Sequence, residues 1–161
     1  MFRNIDKTGL SISALNILAS VSFSYFLTGS LTNNTDALNL VANVFSILSG
    51  FLLLVITMSG ENSTIMTNIS ALDAANQEKR FLMRFNKYYL LFLLYILTLA
   101  LIFIFYLISK DKNNTSGLLV LVKTVVGHMI AFLTCFSFIQ STFIPLKIKE
   151  LFREKRELNT K

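Results

Sequence analysis

Four long apolar stretches alternate with short polar segments along the chain. They run from about Leu10 to Leu31, Leu38 to Met58, Tyr88 to Ile108 and Leu121 to Ile144. A helix needs about 20 mainly apolar residues to cross the hydrocarbon core of a bilayer, and each stretch meets that length. The first follows Arg3 and Lys7 and is rich in serine. It lacks the short apolar core and small-x-small site of a cleaved signal peptide, so it is expected to be an anchoring span. The pattern predicts an all-α fold, an integral four-helix transmembrane bundle. Residues 1–161 then form one membrane domain, with a loop at 59–87 and a tail at 145–161.

Within these stretches, small and polar residues recur at helical spacing. Ala42, Ser46 and Gly50 fall four apart, with Asn39, Asn43 and Thr57 near that face. The fourth stretch has Thr124, Gly127, Ala131, Thr134 and Ser141, and the first has Ser13, Asn16, Ser20 and Ser24. Lipid gives helices no hydrophobic drive to associate, so close approach of small residues and interhelical hydrogen bonds must supply it. Ala42, Ser46, Gly50, Gly127, Ala131 and Thr134 are expected to carry helix packing or self-association. Asn16, Ser20, Asn39, Asn43 and His128 form a candidate polar seam, between subunits or along a pore. Packing is the favoured reading for the fourth stretch, and both readings stay open for the first and second. The third stretch has no such stripe. Its Leu, Ile and Phe predict a lipid-facing helix, with Tyr88, Tyr89 and Tyr106 at the two interfaces.

Charge sets the orientation. The chain is 53% hydrophobic and 15% charged, against about a quarter charged in an average soluble protein. Arg3, Lys7, Lys79, Arg80, Arg84, Lys87, Lys147, Lys149, Arg153, Lys155, Arg156 and Lys161 lie on one side of the predicted bundle. Lys110, Lys112 and Lys123 lie on the other. An excess of twelve over three places both termini inside the cell. The net charge of +6 would also suit nucleic acid, but these residues flank apolar spans, where they set topology and meet anionic headgroups. Direct nucleic-acid binding is not expected. The outer turns read Asn33-Asn34-Thr35 and Asn113-Asn114-Thr115, each an Asn-x-Thr sequon, but two further sequons at Asn62 and Asn68 fall on the predicted inner side, so plain polar turns are the favoured reading.

No arrangement for catalysis, cofactor or metal is visible, so no enzyme and no cofactor is expected. His128 and Cys135 share a helix face, but two turns separate them by about 10 Å along the axis. The spans hold no Asp or Glu, which argues against a proton relay or an acidic selectivity ring. Lys123 lies near the outer end of its span and is expected to snorkel.

The inner surface offers two candidate docking regions. In the loop from Ser59 to Lys87, Ile65, Ile69 and Leu72 recur at helical spacing, as do Phe81, Phe85 and Tyr88. This predicts a short amphipathic helix and then a basic helix, carrying Lys79, Arg80, Arg84 and Lys87, that runs into the third span. In the tail, Leu151 and Leu158 fall seven apart beside Phe152 and Arg153, a candidate face for a partner groove. The fourth span is expected to continue helically into this tail, with a kink at Pro145. These regions serve headgroup anchoring or partner contact.

The run Val44-Phe-Ser-Ile-Leu-Ser-Gly-Phe-Leu-Leu-Leu-Val-Ile-Thr-Met58 is followed by a cytoplasmic helix, a basic-aromatic run into a third span, a fourth span and a charged tail. Across most of the chain this architecture resembles small bacterial and phage-encoded inner-membrane proteins of phage defence and exclusion. That group includes the membrane subunit of the Kiwa system and RexB-like exclusion proteins. The first likeness implies a multi-pass inner-membrane homo-oligomer that senses envelope perturbation and works with a cytosolic nucleic-acid-binding effector protein. The second implies an ion-conducting protein that depolarises the cell. A prophage holin or an accessory membrane subunit is a third reading of the same architecture.

Overall fold

The structure is a computed structural model that describes residues 7–61, 71–110, 117–145, 149 and 153, with the side chains of 7–10, 58–61, 71–81 and 84 left out. The described chain is helical: α1 Lys7–Thr32, α2 Thr35–Glu61, α3 Ala71–Lys110 and α4 Gly117–Ser141. All four are long and apolar enough to cross a membrane, over Ser11–Thr32, Thr35–Thr57, Phe85–Lys110 and Gly117–Ser141. Large apolar side chains such as Leu18, Tyr25, Phe26 and Ile47 are more than 70% exposed on the outer surface, a surface that suits lipid and not water.

The turn between α1 and α2 is only two residues long, and its chemistry is local. Asn34 is the N-cap of α2: its side-chain oxygen accepts from the backbone N–H of Asp36 and Ala37, each at 3.1 Å. The N–H of Asn33 closes the end of α1 on the carbonyl of Gly29 at 3.1 Å. Tyr106 of α3 fastens this end of the bundle. Its hydroxyl donates toward Asn39 Oδ1 at 3.0 Å, with the Thr35 carbonyl at 3.2 Å.

The helices do not form an evenly closed ring. α1 packs chiefly on α4, α4 also on α3, and α3 on α2, while α1 and α2 barely touch. α3 therefore sits between two partners. Its buried residues Tyr88, Leu91, Tyr95, Thr98, Ile102 and Phe105 alternate steps of three and four, which makes one inward face. This corrects the expectation of a wholly lipid-facing third helix. Only its other faces, with Leu90, Leu97, Phe103 and Leu107, point outward. The core centres on Phe45 of α2, whose ring stacks on Tyr95 and packs against Phe138, both at 5.0 Å between centroids.

The basic run is helical into the third span, as expected, and a turn interrupts the end of α4. α3 is one continuous helix of 40 residues, about 60 Å long and twice the thickness of a hydrocarbon core. Lys79, Arg80, Arg84 and Lys87 all lie within it. α4 is regular to Ser141, a turn interrupts it at Thr142 and Phe143, and Ile144, Pro145, Lys149 and Arg153 are helical again, in line with the expected kinked continuation. Pro145 accounts for this: its ring would clash with the carbonyl of Ser141 in a continuing helix. Ile65 and Ile69 of the expected amphipathic helix lie outside the described residues, as do Leu151 and Phe152.

Candidate functional site: the polar seam of α1 and α4

α1 turns a polar stripe toward α4. Asn16, Ser20, Ser24, Thr28 and Thr32 follow one another at steps of four, and a helix places such residues along a single slowly rotating face. Asn16 and Ser20 are fully buried and Thr28 nearly so. The contact is antiparallel and in register over two turns. Asn16 Nδ2 donates to the carbonyl of Phe136 at 3.4 Å, and the Ser24 hydroxyl donates to the carbonyl of His128 at 2.9 Å.

α4 answers with small residues. Gly127, Ala131, Thr134 and Ser137 are all buried. A Cβ at Gly127 would lie 3.2 Å from Thr32 Cγ2 and 3.5 Å from Thr28 Cγ2. The absent side chain is thus what lets α1 lie close against α4.

Most hydroxyls of the stripe are already engaged. Ser20 donates to the carbonyl of Asn16 at 2.8 Å, Thr32 to that of Thr28 at 2.8 Å, and Thr28 to that of Ser24. Such bonds to the preceding turn satisfy each hydroxyl within its own helix and leave a methyl or methylene surface for the neighbour. The seam is therefore a packed contact and not a hydrated path. On the half of the bundle nearer the start of α1 and the end of α4, Tyr95 and Ser141 join α3 to α4 through a 2.6 Å hydroxyl–hydroxyl bond. The buried oxygens of Ser49, Thr134 and Ser137 have no hydrogen-bond partner in the described structure.

The other anticipated residues do not join this seam. Ala42 is half-buried against the core, whereas Ser46 and Gly50 point outward. Asn39 and Asn43 are exposed on the same outer side of α2. His128 is also exposed, and its Nδ1 lies 2.8 Å from the carbonyl of Thr124. A carbonyl only accepts, so Nδ1 carries the proton and donates. The imidazole flanks an open groove of about 530 Å3 with Val21, Tyr25, Leu97, Met129 and Phe132. Cys135 is half-buried with a free thiol. Lys123 holds its ammonium 5.6 Å from the centre of the Phe105 ring, a cation–π distance. Lys87 and Arg153 are exposed.

Sequence reasoning passed over Tyr95, Thr98 and Phe45, the groups that knit α2, α3 and α4 together. The signal for the first two was the pair of hydroxyls in an otherwise apolar third span. Phe45 had none, since a phenylalanine in a span faces lipid or protein with equal ease.

No group of three or more His, Cys, Asp or Glu converges among the described residues. In comparisons with known protein families, curated proteins and solved structures, the chain matches none.

Proposed function

We propose that the chain is a non-enzymatic scaffold of the bacterial inner membrane that displays a helix to a soluble cytosolic effector. The observation that carries this reading is α3, which is membrane-spanning over Phe85–Lys110 and continues as the same helix back to Ala71. The continuation adds about 20 Å beyond the span. A rigid extension that carries Lys79, Arg80 and Arg84 is more surface than a span needs for anchoring. The interior supports a structural role too. Phe45, Leu52, Tyr95 and Ile130 are fully buried and leave no lumen among the described residues of a single chain. With the resemblance in architecture, this favours a component of antiphage defence that couples events at the envelope to an effector.

The test is co-purification. The chain, expressed with the products of its neighbouring genes, is expected to bring down a soluble protein. Charge reversal at Lys79, Arg80 and Arg84, alone or with truncation after Lys149, is expected to abolish that and leave insertion intact. Unchanged partner binding in the doubly altered chain would defeat the recruitment reading.

The outward polar side of α2 favours a second reading, an ion path formed between several copies. Expression would then collapse the membrane potential, which a potential-sensitive dye reads directly. The scaffold reading expects the potential to hold.

A further inference from the structure

The polar residues of α1 and the small residues of α4 meet each other within one chain. Those of α2 do not. α2 buries Leu38, Val41, Phe45, Ser49, Leu52 and Val55 inside the bundle. Another side, roughly 130° around the helix, carries Asn39, Asn43, Ser46, Gly50, Leu53 and Thr57, at steps of four and three, all exposed. This face runs about 27 Å, close to the full hydrocarbon thickness.

Asn43 decides what must cover it. It stands eight positions after Thr35 in a span of 23, so it lies about 5 Å from the midplane. Its amide has no hydrogen-bond partner among the described residues, and lipid tails offer none. A bare amide at that depth costs several kcal/mol on a transfer scale in which nothing can hydrogen-bond. Ser46 donates back to the carbonyl of Ala42 at 2.9 Å, and Thr57 to that of Leu54 at 2.9 Å. Asn39 Oδ1 accepts from Tyr106. Asn43 is therefore the unsatisfied group of the face. Below it, a Cβ at Gly50 would meet nothing within 4 Å, so another helix has room to approach closely.

We infer that this face is the contact with a second copy of the chain, closed by an amide–amide hydrogen bond between the two Asn43 side chains. An amide is both donor and acceptor, so it complements itself. Copies of one chain insert with one orientation, and a two-fold axis along the membrane normal then sets Asn43 opposite Asn43 at equal depth. No other partner is guaranteed an amide at that level. The inference rests on the chain being inserted in a membrane, and not on effector recruitment. A two-helix seam has no lumen, so it also differs from an ion path.

Disulfide trapping in native membranes tests it on the full chain without any partner. In a Cys135→Ser background, Ser46→Cys is expected to give a covalent dimer on mild oxidation. Leu97→Cys, on the exposed side of α3, is expected to stay monomeric and controls for random collision. Adding Asn43→Leu to Ser46→Cys should weaken association about 5- to 30-fold, and Asn43→Gln should largely keep it. If Asn43→Leu expresses poorly, the comparison of Ser46→Cys with Leu97→Cys still decides. Equal trapping at the two positions, or dimers that ignore Asn43→Leu, would mean that lipid covers the face and would overturn the inference.

Discussion

Two residues show how differently lipid and water weigh a side chain. Tyr95 is fully buried, stacks on Phe45 and shares its hydroxyl with Ser141. Tyr95→Phe keeps the ring and removes the bond. It is expected to lower stability by about 0.6–1.7 kcal/mol, the usual scale for interhelical hydrogen bonds in membranes. Reversible unfolding in mixed micelles, followed by circular dichroism, reads that loss. Gly127 works by absence. Gly127→Leu puts four carbons where Thr28 and Thr32 already stand at contact distance, and overpacking of this kind costs about 1–3 kcal/mol. Gly50→Leu, in open space, should leave the unfolding of the monomer unchanged and act only between copies. Equal effects at the two glycines in the same micelle assay would contradict the assignment of one to the inside and the other to the outside.

At the level of elements, the four spans were legible because bilayer thickness dictates their length and lipid dictates their composition. Their partners were not. The step-of-four ladder Asn16, Ser20, Ser24, Thr28, Thr32 is visible in the sequence, yet nothing in it says that α4 and not α2 receives it. The inward face of α3 was hidden for a related reason. Leu and Ile suit lipid and protein contacts alike, so only Tyr95 and Thr98 betray which side turns in. The Ala42–Ser46–Gly50 stripe divided because steps of four drift around the helix, which leaves Ala42 toward the core and the other two outside. α1 is the most peripheral helix, with 11% of its span buried against 28–33% for the others. It depends on the seam with α4. A chain split between Asn33 and Asn34 and expressed as two fragments should therefore reassemble, since each piece is stable as inserted helices before they associate. Gly127→Leu in the larger fragment is expected to abolish co-purification of the smaller one, whereas Gly50→Leu should not.

The whole molecule joins a bundle of four apolar helices to a helical extension, and the same basic residues bear on both the orientation and the proposed docking. Lys79, Arg80, Arg84 and Lys87 count toward orientation and also sit on the segment of α3 proposed to meet a partner. The two roles separate by arithmetic. By the sequence count, twelve Lys and Arg are expected on the side of the α3 extension and three on the other. Replacing the four with glutamine leaves eight against three, still a clear excess on the same side. The orientation is thus expected to survive. A reporter active only outside the cytoplasm should work when fused after Asn34 or Asn114 and fail when fused at Lys161, in both the native and the glutamine-substituted chain. A partner that docks on the extension through charge loses its attraction in the substituted chain and should no longer co-purify. An anchor-only role predicts the reverse sensitivity: any partner stays bound, and the membrane-proximal end of α3 shifts its depth, which accessibility of a spin label at Met83 would register. Reporter activity at Lys161 in the native chain would overturn the orientation itself, and with it the placing of the extension inside the cell.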